Sequence, residues 1–263
     1  TVRRIIALRR ELLKRKPDAA IGFMHSMFLS LAVAATRTDV PVIASEHIVP
    51  MHYKSRPLEW QLMRIVPYLV ERITCTSHQI RDTYPASIQR KMVPIPNPIT
   101  VPRSGRADVA GGRGATKKLL SVGRLEEQKD FATLIRAFAA VHRQLPDWRL
   151  RIVGEGRLRP DLEQLVSRLD LTDKVSLPGA ISDIGSEYMS AQVVVLPSLY
   201  ESFGLSVAEA LAHGLPAIGF KDCLGVNALI RDGENGLLVG AVPDRITALA
   251  QALLTLLGDA ALR

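Results

Sequence analysis

Two side-chain cations lie in one short loop, between an apolar strand pattern and a helical pattern. The loop is Ser121-Val-Gly-Arg-Leu-Glu-Glu-Gln-Lys-Asp130, and its cations are Arg124 and Lys129. Gly123 permits a ligand to approach the backbone closely, and Asp130 has the residue type of a helix N-cap. A forked guanidinium and a point-charge ammonium that converge at a helix start suit a diphosphate. Two cations in a loop are more often simply solvated, so this interpretation needs a second signal.

A pair of carboxylates supplies that signal after another apolar strand, Val193–Leu196. Glu201 precedes a predicted helix, and Glu209 lies eight residues later, inside it. Carboxylates accept charge-assisted hydrogen bonds, so two of them can hold two sugar hydroxyl groups. Because Glu209 has apolar neighbours, we expect it to have a defined partner rather than open water. The alternative is a helix-start charge at 201 and a surface residue at 209.

The backbone between these carboxylates adds an anion-binding element. The Phe203, Gly204 and Leu205 amides lie at the predicted helix N-terminus, where N–H groups lack helical partners. Gly204 has no side chain that could block a ligand. We therefore expect this segment to contact an anionic or polar group.

The chain resembles the retaining glycosyltransferases of family 4, the glycosyl transferases group 1 with the GT-B fold. The resemblance runs across nearly the whole chain and is strongest from Leu119 to Val239. Its specificity comes from the order and spacing of several segments, since none is specific alone. The segments are Ser121-Val-Gly-Arg-Leu, Lys129-Asp130, Ile152-Val-Gly-Glu-Gly156, Leu196-Pro-Ser198, the Glu201 and Glu209 pair, and Asp232-Gly-Glu-Asn-Gly-Leu-Leu-Val239.

The resemblance implies a role for each matching position on the donor side. Arg124 and Lys129 would hold the donor diphosphate and stabilise it as the leaving group, without a metal ion or another cofactor. Glu201 would lie near the transferred sugar, and Glu209 would bind the ribose hydroxyls. The remaining donor-binding positions would be Gly123, Gly154, Ile181, Phe203, Gly204 and Leu205, with Gly154 and Ile181 lining the nucleoside pocket.

In the first half of the chain, the resemblance points to His47. The segment Pro41-Val-Ile-Ala-Ser-Glu-His47 is similar to a family strand that ends in a histidine facing the donor sugar. The alternative is a packed or surface histidine at a strand end. Asn97 matches an asparagine that ends the family's first domain, in a structural role.

The fold class predicted from the pattern is α/β. Short apolar strands alternate with amphipathic helices, which indicates parallel sheets covered on both faces. The resemblance implies GT-B, two Rossmann-like doubly wound parallel-sheet domains that face each other across a cleft, with the first domain incomplete. Ligands of such sheets bind beyond the carboxyl ends of the strands.

The predicted elements fall into two groups. In the first, helices at Val2–Arg15, Ser26–Ala35, Leu58–Leu69 and Ser77–Thr83 alternate with strands at Ala19–Phe23, Pro41–Ser45 and Arg72–Thr76. In the second, the strands are Lys118–Val122, Arg149–Val153, Val175–Leu177, Val193–Leu196, Ala217–Gly219 and Gly236–Val239. The second group's helices are Asp130–Arg143, Pro160–Leu169, Ile184–Met189, Leu205–Ala212 and Thr247–Leu257.

A linker separates the two groups. Four prolines at 94, 96, 98 and 102, followed by a Gly- and Arg-rich stretch to Gly114, preclude a helix and favour a hinge. We therefore predict an acceptor-side domain over residues 1–101 and a nucleotide-sugar donor-binding domain over residues 102–263.

The net excess of positive charge is confined to the first of these domains. Residues 1–100 contain 15 Lys and Arg against 7 Asp and Glu, whereas the rest of the chain contains 19 of each. This imbalance suggests an anionic partner, and we favour an anionic membrane surface. The alternative for the opening segment is a solvated helix face. No aromatic interleaving or zinc-finger spacing supports nucleic acid, so we expect no nucleic-acid partner.

The cysteine content and the first residue of the sequence indicate where the protein is located in the cell and whether the chain is complete. Cys75 and Cys223 are too few for a disulfide framework, so we expect a cytoplasmic protein, with the inner face of the cell membrane as a peripheral location. The chain begins at Thr1 without a signal-type segment. We expect a truncated chain that lacks the family's glycine-rich loop before it and a final helix after it.

The expected function is retaining transfer of a hexosyl-type sugar from a nucleotide diphosphate sugar to a glycan or lipid-linked acceptor. The segment Lys221-Asp-Cys-Leu-Gly-Val-Asn227 resembles bacterial relatives that build surface polysaccharides and lipid-linked oligosaccharides. Two alternatives stay open. One is a nucleotide-sugar epimerase with a GT-B-like fold, and the other is a non-catalytic module that binds nucleotide sugars.

Overall fold

The computed structural model describes residues 2–102, 105–111 and 116–263. The chain forms two compact units, Thr1–Asn97 and Pro98–Arg263. The division lies slightly before the boundary that we predicted after residue 101. Parts of the predicted linker, at 103–104 and 112–115, lie outside the described residues.

Unit 1 contains a four-stranded parallel sheet in the order β1-β2-β3-β4. Its strands are β1 (Ala20–Phe23), β2 (Val42–Ser45), β3 (Arg72–Cys75) and β4 (Met92–Pro94). Its α-helices are α1 (Val2–Arg15), α2 (His25–Ala35), α3 (Pro57–Ile65), α4 (His78–Asp82) and α5 (Ala86–Gln89). Two 3₁₀ segments, Pro50–Ser55 and Val66–Tyr68, complete the unit.

Proline accounts for two departures from the predicted elements of unit 1. The predicted helix over Leu58–Leu69 ends at Ile65 and continues as a 3₁₀ turn, because Pro67 lacks the N–H that an α-helix requires. Pro94 ends β4, a strand that the sequence pattern missed. An edge strand tolerates a proline at its end, and the following Ile95 N–H still donates to the Cys75 carbonyl at 2.7 Å.

Unit 2 contains a six-stranded parallel sheet in the order β10-β9-β8-β5-β6-β7. Its strands are β5 (Lys117–Val122), β6 (Trp148–Val153), β7 (Val175–Gly179), β8 (Val193–Leu196), β9 (Ala217–Phe220) and β10 (Gly236–Val239). Its α-helices are α6 (Phe131–Val141), α7 (Arg159–Arg168), α8 (Ile184–Met189), α9 (Leu205–Ala212), α10 (Leu224–Asn227) and α11 (Arg245–Gly258). Two 3₁₀ segments are Glu127–Lys129 and His142–Gln144.

Strand β8 shows why the strands of unit 2 are apolar throughout. All four of its residues are buried. Val193 and Val195 pack into the core cluster that contains Phe138, whereas Val194 packs into the cluster that contains Tyr188. Successive strand residues thus face opposite covered sides of the sheet, which is the arrangement that the unbroken apolar run predicted.

The order of connection creates a divergence point in this sheet. After β5 the chain adds β6 and β7 on one side, and it then returns to place β8 on the other side of β5. In open parallel sheets, a ligand crevice forms where neighbouring strands lead their loops in opposite directions. The loops after β5 and β8 meet this condition.

Candidate active site

The loops after β5 and β8 are joined through Gln128. The Leu199 N–H donates to the Gln128 carbonyl at 2.8 Å. The Gln128 side-chain amide donates in turn to the Tyr200 carbonyl at 2.8 Å. These bonds hold the predicted cation loop against the predicted carboxylate loop at the divergence point.

Lys129 and Glu201 form an ion pair within this joint. Lys129 Nζ lies 2.5 Å from Glu201 Oε1, and the two side chains are 15% and 11% exposed. Ser198 Oγ donates to the same carboxylate oxygen at 2.8 Å. The Lys129 stem passes over Gly123, where an added Cβ would lie 3.0 Å from Lys129 Cε. Gly123 therefore makes room for the lysine that reaches the carboxylate.

Arg124 lies in the same loop but is placed differently. Its side chain is exposed, and it forms no hydrogen bond or ion pair with another described residue. Its charge contributes to lowering the pKa of Glu126, although a hydrogen bond from Arg157 is the larger cause. The structure thus brings Lys129 and Glu201 together and leaves the guanidinium of Arg124 at the surface of the loop.

Gly154 permits close contact between the loops after β5 and β6. It has a φ of +147°, and an added Cβ would lie 1.9 Å from the Gly123 carbonyl oxygen. Its own N–H donates to the Gly179 carbonyl at 2.9 Å. The structure therefore places Gly154 against the backbone of the cation loop.

The segment that begins α9 rests on a glycine of α10. Gly204 is buried in the left-handed region, with φ 83° and ψ 51°, and is the N-cap residue of the helix. An added Cβ at Gly225 would lie 2.6 Å from the Glu201 carbonyl oxygen and 2.7 Å from the Phe203 nitrogen. Leu205 opens the helix with an exposed side chain. Sequence reasoning missed the supporting role of Gly225, whose only signal was its place in the 221–227 segment.

Glu209 has the defined partner that its apolar neighbours led us to expect. The Tyr188 hydroxyl donates to Glu209 Oε2 at 2.9 Å. Tyr188 is fully buried, and its ring lies 5.1 Å from the His213 ring between centroids. Burial, with Glu209 as a second cause, raises the pKa of Tyr188, so the phenol keeps its proton and remains a donor.

A cavity of about 490 Å³ lies beside this pair. Its lining includes Asp183, Met189, His213 and the segment 100–102, together with Tyr188 and Glu209. Ile181 packs, partly buried, against the same apolar cluster as Tyr188 but is not part of the cavity lining. Gly154 does not line this cavity either.

His47 belongs to unit 1 and follows β2. Its Nε2 lies 3.0 Å from Ser45 Oγ, and its ring stacks on Phe23 with 5.8 Å between centroids. Burial lowers the pKa of His47, which favours the neutral imidazole. These contacts fit a partly packed histidine, and its place opposite a donor sugar stays a prediction.

Glu46, next to His47, is a buried carboxylate that sequence reasoning missed. Only 1% of its surface is exposed. It accepts hydrogen bonds from the Ile48 N–H at 2.8 Å and from the Tyr53 hydroxyl at 2.9 Å. Burial raises the pKa of Glu46 to about 7. Within the described ranges, no group of three or more His, Cys, Asp or Glu side chains could hold a metal ion.

Comparison with known protein families identifies the family of this chain. The family model described as glycosyl transferases group 1 matches residues 116–259, which include both joined loops, Lys129, Glu201 and Glu209. A second model, Glycosyltransferase Family 4, matches residues 1–103. The chain belongs to the glycosyl transferases group 1. The family resemblance drawn from the sequence motifs is thereby confirmed.

Similar proteins within this glycosyltransferase family include bacterial enzymes. An uncharacterized glycosyltransferase of Haemophilus influenzae is 30% identical over 237 residues, covering 87% of this chain and 64% of that protein. The GalNAc-alpha-(1->4)-GalNAc-alpha-(1->3)-diNAcBac-PP-undecaprenol alpha-1,4-N-acetyl-D-galactosaminyltransferase of Campylobacter jejuni is 27% identical, covering 98% of this chain and 70% of that protein. The chain thus spans about two thirds of the length of these two relatives.

Solved glycosyltransferase structures share the fold. Anabaena HepE, crystallised in complex with UDP and glucose, superposes with a TM-score of 0.81 at 19% identity. The alignment covers 98% of this chain and 72% of HepE. The predicted α/β class, with two parallel-sheet units of the GT-B type, is confirmed.

Proposed function

We propose that this chain is part of a retaining glycosyltransferase of bacterial surface polysaccharide or oligosaccharide synthesis. It would move a hexosyl-type sugar from a nucleotide diphosphate sugar to a glycan or lipid-linked acceptor. The observation that carries the proposal is the Lys129–Glu201 pair at the divergence point of the unit 2 sheet. A cation and a carboxylate meet there at the edge where such sheets bind ligands.

In this proposal, Lys129 holds the donor diphosphate. A lysine ammonium has three N–H donors, and one engages Glu201, so two remain for phosphate oxygens. The leading amides of α9 add partial positive charge next to Glu201. The exposed Arg124 is free to turn toward the same diphosphate.

As the bond to the sugar breaks, negative charge grows on the diphosphate. Each fixed cation or amide that meets this charge contributes a few kcal/mol to lowering the barrier. The departing diphosphate and the attacking acceptor hydroxyl would lie on one face of the sugar, which gives retention. The proposal assigns the stabilisation of the leaving group to these cations and amides, and it includes no metal ion or other cofactor.

Glu201 is suited to bind a hydroxyl of the transferred sugar. Lys129 and Ser198 both hold its Oε1 atom, which fixes the orientation of the carboxylate. An oriented carboxylate can accept a charge-assisted hydrogen bond from the sugar. His47, from unit 1, is proposed to face the same sugar, as the family resemblance implies.

Glu209 is proposed to bind the ribose hydroxyls. Tyr188 occupies Oε2, and Oε1 is left to accept a bond from the nucleoside. The cavity beside Glu209 has the volume of a small-molecule site. The assignment of Gly154 and Ile181 to the nucleoside pocket remains a prediction, because neither lines this cavity.

The acceptor is proposed to be presented at an anionic membrane surface. Helix α1 displays Arg3, Arg4, Arg10 and Lys14 together with exposed apolar side chains, among them Ile6 and Leu13. Such a helix is attracted to anionic lipid by about 1 kcal/mol per basic residue near the surface. No helix in the described part of the chain is long and apolar enough to cross a bilayer. A cytoplasmic protein at the inner face of the membrane, with no nucleic-acid partner, remains our proposal.

Donor turnover by a full-length version tests the proposal. We expect Lys129→Ala to lower the turnover number by about 10²- to 10³-fold, because a fixed donor to the leaving group is lost. Arg136→Ala, which removes an exposed cation of α6, is the matched control and should retain the normal rate. Normal rates in both Lys129→Ala and Arg124→Ala would contradict the proposal.

Experiments on the same full-length protein also distinguish transfer from the two alternative functions, epimerisation and binding without catalysis. Products analysed with and without an added acceptor distinguish transfer from epimerisation, since an epimerase needs no acceptor. A non-catalytic module would bind a nucleotide sugar and release no nucleoside diphosphate. Thermal stabilisation by a panel of nucleotide sugars identifies the donor, because a ligand raises stability according to its affinity.

A further inference from the structure

One guanidinium in unit 2 holds three strand-end loops together. Arg245 Nη2 donates to the Pro197 carbonyl at 2.8 Å and to the Ser198 carbonyl at 3.1 Å. Its Nη1 donates to both carboxylate oxygens of Asp222, at 3.1 and 3.0 Å. Its Nε faces Asp130 Oδ2 at 3.5 Å.

The fold explains why this arginine reaches the carboxyl edge of the sheet. Helix α11 follows β10, so its first residue lies beyond the carboxyl ends of the parallel strands. Asp244 caps the helix by accepting from the N–H groups of Ile246 and Thr247, at 2.9 and 3.0 Å. The guanidinium carbon lies 3.6 Å from the centroid of the Phe220 ring, which packs beneath it. Cap and ring together fix the position of the arginine.

Asp130 supplies an independent observation. Asp130 is the N-cap residue of α6, as its residue type predicted, but its side chain forms no capping hydrogen bond. The Asp130 backbone is left-handed, with φ 49° and ψ 41°, and its carboxylate faces Arg245 instead. A left-handed non-glycine residue persists where its surroundings determine it. Arg245 is one of those surroundings.

These contacts close a ring through the proposed donor site. Arg245 binds the Ser198 carbonyl, and the Ser198 hydroxyl donates to Glu201. Glu201 pairs with Lys129, whose neighbour Asp130 faces Arg245 again. We propose that Arg245 is a positioning residue, which holds Lys129 and Glu201 in the arrangement that receives the donor diphosphate. This inference rests on the proposed function.

Arg245 acts through these neighbours and does not itself bind the diphosphate. Its side chain is only 19% exposed, and two carboxylates oppose its charge. Lysine cannot replace it, because a single ammonium lacks the planar fork that reaches several acceptors at once. The network of Arg245 does not include Tyr188 and Glu209, which form the proposed ribose site. Losing Arg245 should therefore weaken diphosphate recognition selectively.

The test compares Arg245→Lys and Arg245→Met with a matched loss of another anchoring arginine. Arg263 follows the C-terminal end of α11, donates to the Val109, Ala110, Leu256 and Leu257 carbonyls, and stacks over Trp148. Arg263→Met therefore controls for the general effect of removing a partly buried, multidentate arginine. All measurements use the full chain.

The first measurement is amide hydrogen exchange without ligand. We expect both Arg245 variants to exchange about tenfold faster in 126–130 and 197–204 than the wild type, with the rest of unit 2 unchanged. Arg263→Met should leave those two segments at the wild-type rate. Unchanged exchange in the Arg245 variants would overturn the inference, and so would equal acceleration in Arg263→Met.

The second measurement is the affinity for UMP against UDP, and for GMP against GDP. In the wild type, the second phosphate should raise affinity. In Arg245→Lys this gain should fall roughly 10- to 100-fold while monophosphate affinity holds, since Lys129 is misplaced and the ribose site is intact. Equal losses for mono- and diphosphates would show a purely structural role and overturn the inference. A wild type that binds neither these four nucleotides nor any other nucleoside diphosphate of the donor panel would contradict the proposed function, while hydrogen exchange would still decide whether Arg245 holds the two loops.

Discussion

Two buried carboxylates at strand ends, Glu46 in unit 1 and Glu201 in unit 2, have opposite electrostatic environments. Glu201, which is 9% exposed as a whole residue, pairs with the Lys129 ammonium at 2.5 Å. Glu46 is 1% exposed, and its donors among the described residues are neutral, namely the Tyr53 hydroxyl and backbone N–H groups. Burial of a charge without a counter-charge favours the protonated form, and the pKa of Glu46 rises to about 7.

The two environments suit the two carboxylates to different tasks. Glu201 has its charge opposed by a cation, so it can serve as a fixed anionic hydrogen-bond acceptor. Glu46 gains and loses a proton near neutral pH, directly beside His47. The loops after β5 and β8 in unit 2 therefore hold an ion pair, whereas Glu46 in unit 1 has a pKa of about 7.

The largest expected effect comes from removing the cation of the first pair. Lys129→Met leaves Glu201 buried and unpaired, which should destabilise the protein by about 3–5 kcal/mol. Denaturant unfolding measures the loss. Adding Glu201→Gln should recover much of it, because the amide needs no counter-charge. A Lys129→Met variant as stable as the wild type would show that the pair does not compensate Glu201.

A smaller, pH-dependent effect is expected at Glu46. The folded-state pKa of Glu46, about 7, lies above its ordinary value of 4.5, so the folded state binds this proton more tightly than the unfolded state. The free energy of unfolding should therefore fall as pH rises from about 4.5 to about 7, by roughly 3 kcal/mol, and then level off. Glu46→Gln should lack this component of the slope.

The measurement for Glu46 is a series of unfolding curves from pH 5 to pH 8. The stability difference between Glu46→Gln and the wild type should shift in favour of the variant as pH rises. Tyr53→Phe, which removes a neutral donor and no titrating carboxylate, is the matched control and should keep the wild-type direction of the slope. Parallel curves for Glu46→Gln and the wild type would contradict the assignment of this proton.

A still smaller effect is expected at a third carboxylate, Glu209, whose partner is the neutral Tyr188 hydroxyl. Tyr188→Phe removes the hydroxyl that orients Glu209, which should weaken donor affinity by about five- to tenfold, the value of one hydrogen bond. The turnover number should change little, since the leaving-group cations are untouched. Tyr68→Phe, at a tyrosine that is 79% exposed, is the control. A fall in turnover number with unchanged affinity would contradict the ribose assignment.

Sequence reasoning succeeded where one local pattern determines the outcome. Helix α9 and strand β8 have the bounds predicted for them, because a fully apolar run, Pro197 and Gly204 mark their ends. It failed at β4, where Pro94 suggested that no strand could form. The strand exists because it forms hydrogen bonds with β3, which a proline at its end does not prevent. Periodicity cannot reveal such an element, because pairing with β3 defines it.

The site residues also fall into two groups, those that local sequence patterns indicated and those that they did not. Motif spacing pointed to Lys129 and Glu201, but their contact depends on β5 and β8 being neighbours, and strand order is a tertiary property. Arg245 and Glu46 carry no local signal at all. The carbonyls that Arg245 holds lie 47 and 48 residues away in sequence, and Asp130 looked like a simple helix cap until its carboxylate was seen to face that arginine.

Crystals grown with UDP, GDP or ADP would show whether Lys129, Glu201 and the start of α9 together bind one diphosphate. We expect phosphate oxygens within about 3 Å of Lys129 Nζ, with the ribose hydroxyls on Glu209. A nucleotide bound elsewhere, or a Lys129 ammonium that still contacts only Glu201 beside a bound diphosphate, would contradict it.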